Sequence, residues 1–135
     1  REDKGYTYGI GSFVATQKHD SYFGISTEVG SEVTQKTVNE IYKELELLRT
    51  ELVSKEELSL VKSYLMGELL KSVDGPFSVA ERWKGIILFD LDKSYFDNLI
   101  STILNITPFE VREIAEKYLG SADLYEVVVG SNNMN

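Results

Sequence analysis

The sequence has no cysteine, one histidine, one tryptophan and two prolines in 135 residues. Without cysteine there are no disulfides, no thiolate zinc sites and no cysteine nucleophile. A lone imidazole cannot build the usual three-ligand catalytic zinc site, and His19 falls in the polar run "QKHD", where it reads as a solvated turn residue. Neither H-x-x-E-H nor G-x-S-x-G occurs. The "GIGS" at 9–12 lacks the third glycine and the strand-to-helix setting of a phosphate loop. No apolar run approaches the ~20 residues of a membrane helix. Positive charge is also scarce: the formal net charge is −8, a field that repels phosphate backbones and anionic lipid. Nucleic-acid and membrane-surface roles are therefore disfavoured.

What is present is ordinary globular material, 42% apolar and 27% charged, in a length that fits one domain, residues 1–135. Tyr6, Tyr8, Ile10, Phe13 and Val14 make a β-rich run in which Gly9 and Gly11 suggest a bend or bulge. After "QKHD", Tyr22, Phe23, Ile25 and Val29 form a second run, and the two predict a hairpin. From Ser31 the period changes. Val38, Ile41, Leu45 and Leu48 predict one helix, and Leu58, Val61, Leu65 and Leu69 a second, opened by a capping box at "SKEE". "DGP" at 74–76 ends that helix and starts a third with Phe77, Ala80, Trp83, Ile86 and Ile87 facing inward. Asp92 is placed as the N-cap of a fourth, and Thr107, Pro108 and Glu110 open a fifth that Gly120 closes. "LYEVVVG" reads as a short buried strand. Segregated strands and about five helices give an α+β class, an antiparallel sheet covered by helices. Three strands are thin for that much helix, so at least one more is expected upstream, in a longer protein whose N-terminal side is missing here.

The acidic runs "KELE" and "SKEE" lie off the apolar stripes and read as solvated faces and caps. By itself the chain has no complete catalytic constellation. The opening stretch, "REDKGYTYG", resembles the "RE-x-x-G-x-x-Y" element of the zinc peptidases that include insulysin, pitrilysin and the mitochondrial processing peptidase. The rest follows in register. "DSYFGISTEV" matches the next strand and "TQKTVNEIYKELELLR" the long helix. "LVSKEELSLVKSYLMGELL", "ITPFEVREIAEKYL" and "VVVG" resemble the elements after it.

In that family two halves, each of two related domains, close around an unfolded peptide. The resemblance makes this chain the C-terminal, inactive-type domain of a half. It also implies that Zn2+ is held by a partner domain or subunit, a zinc-bearing peptidase half, and not by this fragment, which should be inactive alone. Arg1 and Tyr8 match the family's arginine–tyrosine pair as peptide-substrate-binding residues. A guanidinium and a phenol O–H suit that role, since both donate to a carbonyl oxygen gaining negative charge. The bland alternatives are a surface arginine and a core tyrosine tethered by its hydroxyl. The "GYTYG" version resembles the non-zinc partner. Two other readings stay open: the second domain of a zinc-bearing subunit, and a structural subunit that kept the fold without proteolysis. A bacterial periplasm or cytoplasm is the implied compartment, with an organelle also compatible.

Overall fold

The computed structural model describes residues 3–92 and 94–130. Two strands, β1 (Thr7–Thr16) and β2 (Ser21–Val29), precede five helices: α1 (Thr34–Thr50), α2 (Lys55–Lys71), α3 (Pro76–Leu88), α4 (Tyr95–Asn105) and α5 (Pro108–Tyr118). Short 3₁₀ turns at Ser31–Val33 and Ser121–Asp123 flank this run. The class is α+β with an antiparallel pairing, as the sequence indicates. The chain divides into two compact units, one holding the chain up to Thr50 and from Ile114 onward, the other Glu51–Glu113.

In the first unit the hairpin forms around the 17–20 turn, closed by Gln17 N–H donating to Asp20 O at 2.9 Å. Phe13 stands opposite Gly24. A Cβ on Gly24 would come within 2.5 Å of the Phe13 ring, so the absent side chain there is what lets the ring lie across the partner strand. On α1, Thr37 and Leu45 are buried with Ile41 half-buried between them, the four-residue spacing of one helix face. Thr37 returns its hydroxyl to Val33 O at 3.0 Å, which removes an unpaired polar atom from that face.

The third strand does not form. Among the described residues the sheet has two strands, and 124–129 carries no ladder. Leu124 has extended backbone, φ −96° and ψ 136°. However, Tyr125, Val127 and Val129 are 96%, 85% and 93% exposed, so the segment is neither paired nor buried. β-propensity measures fit to a sheet surface, and with no neighbouring strand there is nothing to fit.

In the second unit the helix ends follow the sequence. Ser54 Oγ accepts from Glu57 N–H at 3.0 Å, Gly75 takes φ +93° before Pro76, and Thr107 and Glu110 form a reciprocal box. In that box Glu110 Oε2 accepts from Thr107 N–H at 2.8 Å, and Glu110 N–H donates to Thr107 Oγ1 at 3.3 Å. The Thr107 hydroxyl, which donates to Glu110 Oε2 at 2.7 Å, and then the Thr107 N–H hold the Glu110 carboxyl below its usual range. Asp92 acts one step earlier than expected. Its carboxylate accepts from Ser94 N–H at 2.7 Å in the turn before α4, which lowers its pKa. Past α5, Gly120 is extended (φ −64°, ψ 134°) and is not the left-handed cap its position suggests.

The helix faces differ from the expected stripes. Along α3 and its C-cap the covered positions are Ser78, Arg82, Gly85, Ile86 and Phe89, while Trp83 is 48% and Ile87 75% exposed; of the five apolar residues expected inward only Ile86 is buried. The reason is Arg82. Its guanidinium donates to Leu69 O at 3.1 Å and to Ser72 Oγ at the end of α2, and it lies 4.3 Å from the Phe96 ring centroid. On α2, likewise, Lys62 is half-buried and donates to Leu104 O at 2.9 Å, in the last turn of α4, whereas Val61 and Leu65 are exposed. A cation that satisfies orphan carbonyls at a helix C-terminus takes an inward position that hydrophobicity alone would give to Trp or Val.

Candidate functional site

The sequence assigns Arg1 and Tyr8 as substrate-binding residues. Arg1 lies outside the described residues. Tyr8 is described, and the chain leading to it is built from local rules. Gly5 takes φ +64°, the left-handed conformation that glycine enters without steric cost, and turns the chain into β1. Beside it Lys4 Nζ reaches Glu40 Oε1 on α1 at 3.3 Å, a solvent-exposed pair of small energetic weight.

β1 then departs from regular pairing. Thr7 is opposite Val29 and Ile10 opposite Thr27, so three steps on β1 face two on β2, and Tyr8 and Gly9 share the bulge. This is the bend that Gly9 suggests in the sequence. The bulge interrupts the alternation that would place Tyr8 with Ile10, and Tyr8 is 100% exposed. The core-tyrosine reading does not hold. The phenol has no hydrogen-bond partner among the described residues, which leaves its donor available.

Sequence reasoning missed the residues that brace the bulge. Thr7 Oγ1 lies 2.7 Å from Gly9 O and 2.8 Å from Glu28 O and accepts from Gly9 N–H at 3.0 Å. Thr27 Oγ1 lies 2.9 Å from Thr7 Oγ1 and 3.0 Å from Gly9 O. The available signal was a threonine two residues before a glycine, the pattern of a hydroxyl-closed turn. On α1 the nearby Glu126 carboxylate raises the pKa of the Tyr42 phenol, a link between α1 and the 124–129 segment that the sequence did not signal.

Zinc does not fit the residues present. Among the described residues no group of three or more His, Cys, Asp and Glu side chains can hold a metal ion. His19 is exposed in the 17–20 turn. No helix is long and apolar enough to cross a membrane among the described residues.

Residues 1–65 match the family model of the peptidase M16 inactive domain. Over that stretch, a little under half of the chain, the sequence is similar to the M16 inactive-domain family. The fold extends the likeness further: the crystal structure of a peptidase M16 inactive domain from Pseudomonas fluorescens superposes with a TM-score of 0.78 over 89% of this chain, at 20% identity. This chain spans 28% of that chain's length. No curated protein matches. The likeness is to a C-terminal, inactive-type M16 domain, and the "REDKGYTYG" stretch lies inside the matched residues.

Proposed function

We propose that residues 1–135 act as one domain of an M16 metallopeptidase that helps enclose an unfolded peptide. In this reading Tyr8, together with Arg1, orients the scissile carbonyl towards zinc held by a companion domain or subunit. The observation that carries the proposal is Tyr8 itself, a fully exposed phenol raised on a bulge, with no hydrogen-bond partner for its O–H among the described residues. The companion's metal supplies Lewis acidity and an activated water. What this chain supplies is hydrogen-bond donation. The Tyr8 O–H and the Arg1 guanidinium donate to the carbonyl oxygen as its negative charge grows, and such donors are worth about 2.7–4 kcal/mol of barrier each.

The test is Tyr8→Phe and Arg1→Ala in the complete protein assembled with its zinc-bearing half, assayed on a quenched fluorescent peptide. Each should lower kcat on the order of 10²–10³-fold with a much smaller rise in KM, since the donors act on charge present in the transition state. The double variant should lose less than the product of the two, because both serve one oxygen. Zinc content and assembly should be unchanged. Full turnover in both variants would remove the reading.

A further inference from the structure

A bulge interrupts the ladder, and here the positions outside the register are Tyr8, Gly9 and Glu28. The backbone groups of Gly9 and Glu28 are not left to water. The Thr7 and Thr27 hydroxyls together reach Gly9 N, Gly9 O and Glu28 O, all within 3.0 Å, and reach each other at 2.9 Å. Each hydroxyl has one proton to donate and two lone pairs to accept with, so the pair can satisfy Glu28 O, Gly9 O and Gly9 N–H together, with no proton left for a bond between the two hydroxyls. Gly9 N–H donates to Thr7, Thr7 donates to Glu28 O, and Thr27 donates to Gly9 O. Both threonines are half-buried, while their bonds to Gly9 and Glu28 lie at the exposed surface.

The Tyr8 side chain, in contrast, is 100% exposed, and among the described residues no hydrogen bond or ring contact holds it. The direction in which its Cα–Cβ bond leaves the chain is set by the backbone at residues 7–9. We propose that the Thr7–Thr27 hydroxyl pair is a positioning device for the peptide-binding reaction, locking the bulge so that the Tyr8 phenol is held in one direction towards substrate. The inference rests on the reading of Tyr8 as a substrate contact. Misplacing a reacting contact by about 1 Å can cost on the order of 10²-fold in rate. Loss of the lock therefore reaches catalysis through Tyr8, although neither threonine touches substrate.

The experiment uses the complete assembled protein with Thr7→Val and Thr27→Val, near-isosteres that remove only the hydroxyls, and Thr27→Ser, which restores one. Two readouts are taken: turnover of the quenched peptide, and hydrogen exchange at the Gly9 amide. The expected result is kcat lower by about 10- to 100-fold in both valine variants, with KM within a few-fold and faster Gly9 exchange. Thr27→Ser should recover both readouts to within a few-fold. In a Tyr8→Phe background, Thr27→Val should change turnover little, because the group it positions is already silent. Unchanged Gly9 exchange in the valine variants overturns the lock. Equal losses from Thr27→Val with and without the Tyr8 hydroxyl also overturn it, since the threonines would then act on the fold. If Tyr8→Phe keeps full turnover, the parent reading fails as well. Slow turnover in Tyr8→Phe beside normal turnover in both valine variants leaves that reading standing and removes only the positioning role.

Discussion

The β1–β2 hairpin and the helices α2–α5 use their polar side chains for opposite ends. In the helices those groups finish the structure. Ser54 and the Thr107–Glu110 box close helix starts, while Lys62 and Arg82 cover carbonyls at helix ends. In the hairpin the hydroxyls of Thr7 and Thr27 preserve an irregularity, and what that irregularity holds out to solvent is Tyr8. Polar groups that complete a regular element tell of stability. Groups that maintain a departure from regularity point to use.

The comparison predicts where mutations hurt the fold. Ile86→Ala, at the most covered position of α3, should lower unfolding free energy by about 2–5 kcal/mol. Trp83→Ala, one turn away, should cost clearly less, and the native tryptophan emission should be that of a partly hydrated indole. Equal costs for the two would restore the apolar stripe read from the sequence. On the hairpin, Gly24→Ala should cost about 1–3 kcal/mol unless the Phe13 ring swings away, a rearrangement visible as loss of the Phe13–Tyr22 contact by NMR. Thr107→Ala should remove about 1 kcal/mol by chemical denaturation. Tyr8→Phe should change stability by no more than about 0.5 kcal/mol, the value of an exposed site, whatever it does to turnover.

Acid sharpens the same contrast. The Glu110 and Asp92 carboxyls are held below their ordinary values, near 4.5 and 3.8, by the hydrogen bonds of the capping box and of the turn before α4. A lowered folded-state pKa stabilises fully above the unfolded-state value and is lost as pH falls through the folded-state one. Stability should therefore decline below about pH 4.5, and Glu110→Gln should flatten that decline in an acid titration followed by circular dichroism. An unchanged slope in Glu110→Gln would show that the box does not carry the acid response.

Much of this was legible in the sequence for local reasons. The hairpin, the bulge near Gly9, the five helices, the Ser54 and Thr107 caps and the Gly75–Pro76 break all follow from short-range geometry, which neighbouring residues state directly. The helix faces were less legible. Stripe reasoning sends charges outward, and Arg82 and Lys62 turn inward to reach carbonyls on other helices, a non-local demand no period reveals. The strand at 124–129 failed for the same reason, since pairing is a property of two segments. Tyr8 is singled out by the resemblance of a nine-residue stretch. Thr7 and Thr27 are not, because twenty residues separate the two hydroxyls.

The 124–129 segment has a practical side. Its outward residues are Tyr125, Val127 and Val129, with Glu126 its sole charge, and its amides join no ladder. Uncharged β-prone stretches with open edges template one another. Held alone in concentrated solution, the domain is expected to cluster through this stretch, slowly while its −8 charge keeps molecules apart and faster once salt screens that repulsion. Ionic strength thus becomes the variable that governs its shelf life, and a lysine in place of Val127 the simplest way to extend it.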